Sequence, residues 1–161
     1  MHYISTLLAV RDLPRARRFY CELLGMEVTA DYGANITLSH AVSLQTLATW
    51  QDFLQLPPEE ITLGGRAAEL YFEEADLDGF LNKLAAWPGL EIVHPLKEHA
   101  WGQRAVRFYD PDRHIIEVGE KMTVVARRFY DGGMTPAQVA KRMDVPQEAV
   151  EEWLAQTGGQ A

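Results

Sequence analysis

The chain has 161 residues, which at about 150 residues per domain is one compact domain or a duplicated unit with a short appendage, and excludes a large multidomain enzyme. Hydrophobic residues make up 47% of the chain and charged residues 24%, a composition that excludes disordered, collagen-like and coiled-coil proteins. The formal net charge of −8 argues against nucleic acid and anionic membranes as partners and favours a small-molecule ligand.

The cysteine content and the hydropathy of the chain bear on its compartment. Cys21 is the only cysteine, so the sequence offers neither an internal disulfide nor a cysteine-based zinc site, which is typical of a reducing compartment. The first ten residues lack a basic region followed by a long apolar stretch, and no run of about 18 apolar residues occurs. We therefore expect a cytoplasmic protein without a membrane-spanning segment.

The first half of the chain shows a strand, a helix and three further strands. Residues 2–10 are rich in strand formers and lead into a helix with Asp12 as its N-cap. Apolar side chains recur at helical spacing over residues 13–24, and Gly25 follows the last turn. Short β-prone runs come next, at residues 26–32, 36–39 and 42–46.

The second half repeats this pattern. A strand-like segment at residues 69–75 precedes a second capping aspartate, Asp76, and a second helix over 77–87. The offset between Asp12 and Asp76 also carries Leu13 onto Leu77, which indicates a duplicated module. Three β-prone runs again follow, at residues 91–96, 104–109 and 114–118.

The duplication predicts an α+β fold in which two βαβββ modules form an open mixed sheet around a shared cleft, because one module alone has too little core. The modules span residues 1–55 and 67–120, and the proline- and glycine-containing segment 56–66 is the predicted linker.

Residues 121–161 form a C-terminal helical extension with helices predicted at 122–130, 136–143 and 146–156. The last two helices are similar to a helix-turn-helix. The extension has five basic and five acidic residues, and its final helix carries three glutamates, which disfavours a DNA-binding regulator. We expect Val150, Trp153 and Leu154 to pack across a dimer or over the cleft.

Several short motifs are similar to those of a known superfamily. In the first half these are Val10-Arg11-Asp12-Leu13, Arg18-Phe19-Tyr20 and Leu24-Gly25-Met26, and in the second half Trp101-Gly102-Gln103-Arg104, Phe108-Tyr109-Asp110-Pro111-Asp112 and His114-Ile115-Ile116-Glu117. Together they resemble the vicinal oxygen chelate superfamily, which contains glyoxalase I, extradiol dioxygenases and bleomycin-resistance proteins. The resemblance implies paired βαβββ modules around a cleft, often in a homodimer.

The resemblance also implies a ligand set at the first and last strands of each module. The matching positions are Ser5, Gln45, Glu69 and Glu117, with no histidine among them. Two carboxylates, an amide and a hydroxyl suit a hard cation better than Zn²⁺ or Ni²⁺. The sequence leaves open whether a divalent ion (Mn, Mg, Fe or Ni) or no metal is bound, and whether Glu69 and Glu117 are metal ligands, general bases or structural residues.

The closing hairpin offers a metal-free alternative for Glu117. A two-residue loop at Pro111 and Asp112 opposes Val106 to Glu117 and brings Arg104 diagonally close to that carboxylate. We therefore expect Arg104 to pair with Glu117 and to line the cleft.

The remaining candidates lie within residues 94–101, from the second strand of the second half to the loop before the third. His94 and His99 match no simple metal spacing, so we expect them to cap a loop or to hydrogen-bond a ligand. Trp101 either stacks on a planar ligand or covers the edge of the core.

Two hypotheses follow. The first is a metal-free protein that binds a small organic molecule in the cleft through Ser5, Gln45, Trp101, Arg104, His94 and His99. The second is a metal-assisted lyase, isomerase or dioxygenase-like enzyme that uses Glu69 and Glu117.

Overall fold

The computed structural model describes residues 1–157, which divide into two compact units. The first unit contains Met1–Glu69, Ala86–Glu91 and Tyr109–Ile115. The second contains Leu70–Ala85, Ile92–Phe108 and the residues from 116 onward. The sheet strands form two four-stranded sheets, in agreement with the predicted α+β fold and its two modules.

The first sheet contains the strands predicted for the first half. The elements in chain order are β1 (Thr6–Val10), α1 (Leu13–Arg18), β2 (Val28–Asp31), β3 (Asn35–Leu38) and β4 (Val42–Thr46). β1 pairs in parallel with β4, and β4, β3 and β2 follow as antiparallel neighbours. β1 is shorter than predicted because its partner strand begins at Val42, opposite Thr6. A helix α2 (Leu47–Leu54) and a 3-10 turn (Pro58–Glu60), neither of them predicted, follow the sheet.

This sheet has one apolar and one polar face. Ile36 and Leu44 stand opposite each other and are buried, and α1 packs against β4. The next positions along the same strands are Thr37 and Ser43, also opposite each other. Alternation along the strands therefore places apolar side chains in the core and hydroxyl and amide side chains on the other face.

The predicted first helix changes its geometry part-way. Asp12 caps α1, since its Oδ1 accepts a hydrogen bond from the Arg15 amide at 2.9 Å. After α1 the chain continues as a π-helical segment, Phe19–Leu23, in which the Leu24 amide donates to the Phe19 carbonyl oxygen at 3.4 Å. The predicted helix is confirmed, and its last turn is wider than an α-helical turn.

A buried carboxylate fixes this π-helical segment. The Asp110 side chain is fully buried and accepts hydrogen bonds from the Tyr20 hydroxyl at 2.9 Å and from the Asp112 amide at 2.9 Å. His114 Nδ1 lies 2.8 Å from the same carboxylate. Burial, and then the charge of Asp110, raise the pKa of Tyr20 well above its usual value, so the phenol remains a donor at neutral pH.

Replacing Tyr20 with Phe is expected to lower the free energy of unfolding by about 1–2 kcal/mol, because the buried Asp110 carboxylate loses one donor while the ring stays in place. Urea denaturation of both proteins measures the difference. An unchanged midpoint would contradict a contribution from this hydroxyl.

The second sheet repeats the topology of the first. Its elements are β5 (Glu69–Glu74), α3 (Leu77–Ala85), β6 (Ile92–Glu98), β7 (Arg104–Tyr109) and β8 (Ile115–Glu120). The strand order β5-β8-β7-β6 matches the order β1-β4-β3-β2. On one face, Phe108 packs against Phe80 of α3 with ring centroids 6.2 Å apart. The face opposite α3, on which alternation places Tyr71, Glu73, Arg107 and Glu117, is called the polar face below.

The hairpin between β7 and β8 has one more loop residue than predicted. The Arg113 amide donates to the Asp110 carbonyl oxygen at 3.0 Å, and the Asp110 amide donates to the His114 carbonyl oxygen at 3.0 Å. Arg113 takes a left-handed conformation with φ of +72°, as a three-residue loop requires. The register is displaced by one residue, so the predicted pairing of Val106 with Glu117 is wrong.

The C-terminal extension folds around a small core of its own. Its helices are α4 (Met122–Asp131), α5 (Pro136–Met143) and α6 (Gln147–Thr157), close to the predicted bounds, and residues 158–161 lie outside the described chain. Thr135 and Gln138 form a capping box at the start of α5. Val150, expected at a dimer contact or over the cleft, is instead buried in this core, and Trp153 and Leu154 pack against it. No helix within residues 1–157 has the length and apolar character needed to cross a bilayer.

Candidate functional site

Glu117 lies on the polar face of the second sheet with a side chain that is only 6% exposed. Its Oε2 accepts a charge-assisted hydrogen bond from the Arg107 guanidinium. This pairing offsets the cost of burying the carboxylate. The prediction that Arg104 is the partner is wrong, because the longer hairpin loop moves Arg107 opposite Glu117.

Arg104 pairs with a different carboxylate, which lies on the α3 side of the sheet. Its Nε and NH2 groups donate to the two oxygens of Glu120 at 3.3 and 2.9 Å, and its NH1 donates to Asp78 at 3.0 Å. Arg128 of α4 adds a third donor to Glu120 at 3.0 Å. Burial raises the pKa of Glu120, but the hydrogen bonds from the two arginines outweigh it and hold the pKa below its usual value. The structure thus places Arg104 in an ion-pair network around the buried Glu120, away from Glu117.

A chain of hydrogen bonds runs along the polar face beside Glu117. The indole Nε1 of Trp101 donates to Gln103 Oε1 at 3.2 Å, Gln103 Nε2 donates to the Tyr71 hydroxyl at 2.7 Å, and that hydroxyl donates to Glu73 Oε1 at 3.0 Å. Gly119 leaves room for this chain, since a Cβ there would lie 2.7 Å from Gln103 Nε2 and 3.2 Å from the Tyr71 ring. Tyr71, Gln103 and Arg107 were not predicted as site residues. The alternation of Tyr71 and Glu73 on β5 was the available signal for the first of them.

Tyr71 acts as a fixed donor in this network. Burial raises the pKa of Tyr71 to about 12, and the carboxylates of Glu73 and Glu117 contribute to the shift. The phenol therefore stays protonated at physiological pH and can hold an acceptor group, whereas it is a poor general base.

The two predicted histidines have different surroundings. His94 Nε2 lies 3.1 Å from Arg107 NH1, and its Nδ1 lies 2.8 Å from the Pro95 carbonyl oxygen. The His99 ring stacks on Trp101 with centroids 4.3 Å apart and planes 2° from parallel. Its Nε2 is buried and has no hydrogen-bond partner among residues 1–157. Burial, and then the positive charge of Arg107, lower the pKa of His99, so its ring is neutral at pH 7.

The predicted site residues of the first half hydrogen-bond to their own sheet. Ser43 Oγ donates to Ser5 Oγ at 3.1 Å, and Asn35 Nδ2 donates to the buried Gln45 Oε1 at 2.8 Å. Glu69 opens β5 and is exposed. That Ser5 and Gln45 share a pocket with the carboxylates of the second half stays a prediction.

Comparison with known families matches residues 3–123 to the glyoxalase-like domain, which is three quarters of the chain. The chain belongs to this family. The crystal structure of a protein of unknown function from Agrobacterium tumefaciens str. C58 is similar to this one, with a TM-score of 0.67 and a sequence identity of 35%. The match covers 75% of this chain and 94% of that protein's chain. No curated protein matches the chain.

More distant structures share the fold of the glyoxalase-like domain. A glyoxalase/bleomycin resistance protein/dioxygenase from Nocardioides is 18% identical with a TM-score of 0.60, and covers 74% of this chain and 83% of its own. A glyoxalase-related enzyme from Fulvimarina pelagi is 18% identical with a TM-score of 0.64, and covers 76% and 89%. The predicted membership of the vicinal oxygen chelate superfamily is confirmed.

The residues at the metal positions implied for this glyoxalase-like domain fit a metal poorly. Glu117 already has a cationic partner in Arg107, and the oxygens of Ser5 and Gln45 hold hydrogen bonds within their own sheet. Hydroxyl and amide oxygens are weak ligands for transition metals. Over the described residues, no three His, Cys, Asp or Glu side chains are grouped so that they could hold a metal ion. No catalytic step through a metal follows from this donor set.

Proposed function

We propose that this glyoxalase-like protein binds a small planar organic molecule, neutral or cationic, on the polar face of its second sheet without the usual metal. The observation that carries the proposal is the ion pair of Glu117 with Arg107, at the position where the superfamily resemblance implies a metal ligand. A guanidinium in this place leaves hydrogen bonding and stacking as the means of recognition.

The aromatic side chains of this face support a planar ligand. Tyr71 is 49% exposed and Trp101 is 38% exposed, although Gln103 ties both to the sheet by hydrogen bonds. Rings that are held in place and still accessible provide stacking area at a low cost in side-chain entropy.

The charges beside these rings favour a cation over an anion. The Glu117 charge is offset by Arg107, whereas Glu73 accepts a hydrogen bond from the neutral phenol of Tyr71. A carboxylate next to aromatic faces attracts a cationic ring both by charge and through the π-systems. The net charge of −8 acts in the same direction at long range.

Three ligands of equal size and different charge test the proposal: benzamidine, benzamide and benzoate. We expect benzamidine to shift the indole Nε1–H resonance of Trp101 in NMR titrations, and to bind about tenfold more tightly than benzoate. Glu73→Gln removes the charge and keeps an acceptor for Tyr71, so it should weaken benzamidine binding and leave benzamide binding unchanged. Glu152→Gln, at an exposed position of α6, is the matched control. Tighter binding of benzoate, or no binding of the series, would contradict the proposal.

The metal-assisted enzyme of the second hypothesis is distinguished by metal analysis of protein purified without chelator. We expect Mn, Fe, Ni and Zn well below one equivalent. Stoichiometric metal that is lost in Glu117→Gln would overturn the metal-free proposal and favour the enzyme.

A further inference from the structure

The loop that carries His99 and Trp101 is fastened to the C-terminal extension. This β6–β7 loop (residues 99–103) is closed by hydrogen bonds from the His99 amide to the Gln103 carbonyl oxygen at 2.8 Å and from the Gly102 amide to the His99 carbonyl oxygen at 2.9 Å. Arg128 NH2 of α4 donates to the Gly102 carbonyl oxygen at 2.7 Å, and Arg142 NH1 of α5 donates to that of Ala100. Two guanidinium groups thus hold the loop backbone.

An aromatic ring contacts both guanidinium groups and supports the loop. The guanidinium carbons of Arg128 and Arg142 lie 4.9 and 5.2 Å from the centre of the Phe129 ring. The Gly102 backbone approaches this ring so closely that a Cβ at Gly102 would overlap its atoms. Arg128, Phe129 and Arg142 are called the loop anchor below.

The loop anchor rests on a rigid support. Its residues project from helices whose inner faces form a common core, and Arg128 also bonds to the buried Glu120 at the end of β8. The glyoxalase-like match ends at residue 123, so all three anchor residues lie outside the part of the chain that defines the family. A loop held at two carbonyl oxygens and one ring surface has few alternative conformations.

We propose that the C-terminal extension is a positioning element of the binding site, which sets the orientation of Trp101 and His99 and thereby the ligand preference of the polar face. The ligand part of this inference rests on the proposed function. Without the loop anchor the loop is free to move, so Trp101 becomes ordered only when the ligand binds. The conformational entropy lost in this ordering lowers the affinity.

The test uses the full chain and compares Arg142→Ala and Phe129→Leu with Arg127→Ala. Arg127 lies on the same helix as most of the anchor but pairs with the exposed Asp131. NMR hydrogen exchange of the His99 and Gly102 amides reports loop order without any ligand, and the Val125 amide reports the extension core. Benzamidine titration of the Trp101 indole resonance reports binding.

We expect Arg142→Ala and Phe129→Leu to speed exchange of the two loop amides by at least about tenfold and to weaken benzamidine binding by about tenfold. Arg142→Ala should leave Val125 unchanged, because Arg142 lies outside the core to which Val125 belongs. Arg127→Ala should match the wild type. Arg142→Lys keeps one donor for the Ala100 carbonyl oxygen and should restore most of the affinity.

The outcomes separate this inference from the proposed function. If the wild type binds benzamidine and the anchor variants leave loop exchange unchanged, the inference is overturned and the proposed function stands. Faster loop exchange with unchanged affinity also overturns it, because the loop then does not set binding. If the wild type does not bind benzamidine, the proposed function fails and the ligand part of the inference fails with it, while the exchange data still decide whether the anchor orders the loop.

Discussion

Replacing Glu120 with Gln is expected to lower the free energy of unfolding by about 3 kcal/mol, measured by urea denaturation. The side chain is 1% exposed and accepts hydrogen bonds from both Arg104 and Arg128. The amide keeps the shape but removes the charge, so both guanidinium groups lose their buried counterion and keep only the more exposed Asp78 and Glu98. Removal of one partner from a buried ion pair typically has an effect of this size.

Asp78→Asn is the matched control, because Asp78 bonds the same Arg104 guanidinium at 3.0 Å but is 72% exposed. Its substitution should change the free energy of unfolding by less than about 1 kcal/mol, as for other exposed ion pairs. Equal losses in the two variants would contradict the role assigned to burial.

The same network gives the sign of a pH dependence. The pKa of Glu120 is lower in the folded chain than in the unfolded chain, so the unfolded state binds more protons in the interval between the two values. The stabilising contribution is complete above the unfolded pKa and is lost as the pH falls through the folded one. Glu120→Gln should therefore reduce the acid sensitivity of stability relative to the wild type.

The sequence predicted the elements well where local signals define them. β4 and α5 have the predicted bounds. Apolar and polar residues alternate clearly along β4. A capping box with a proline at the first position defines the start of α5. The two modules could be predicted from the repeat and from the family resemblance, whereas the order of the strands within each sheet comes from the structure. The membership in the glyoxalase-like family could thus be inferred from short motifs whose spacing the fold preserves.

The partners within the candidate site could not be predicted in the same way. Whether Arg104 or Arg107 pairs with Glu117 depends on one loop residue, Arg113, whose left-handed conformation adds a position to the hairpin. An arginine is an uncommon residue for that conformation, so the sequence favoured the shorter loop. A one-residue difference in register moves every side chain to a new partner, and with it the expected site.

The hydrogen-bonded chain through Gln103 was also beyond sequence reasoning. Tyr71 and Trp101 are thirty residues apart, and Gln103 links them only where Gly119 leaves space on a third strand. The alternation of residues along the sequence shows which side chains of one strand share a face, but not which strands are neighbours. This network depends on the order of the strands in the sheet.

Replacing Gly102 with Ala is the second large effect, and we expect a loss of about 3 kcal/mol in the free energy of unfolding. Gly102 has φ of +89°, and the new Cβ would overlap the Phe129 ring. The left-handed backbone accounts for about 1–2 kcal/mol of this cost, and displacement of the ring from its contacts with the two guanidinium groups accounts for the rest. Thermal or urea unfolding gives the total.

Gly133→Ala separates these two contributions. Gly133 has a similar φ of +95°, but a Cβ there would meet no atom within 4 Å, so only the backbone cost of about 1–2 kcal/mol should appear. In a Phe129→Ala background the clash is removed, and the further cost of Gly102→Ala should fall to that of Gly133→Ala. If the cost stays the same in both backgrounds, the Phe129 ring does not support the loop, and the loop anchor loses its central member.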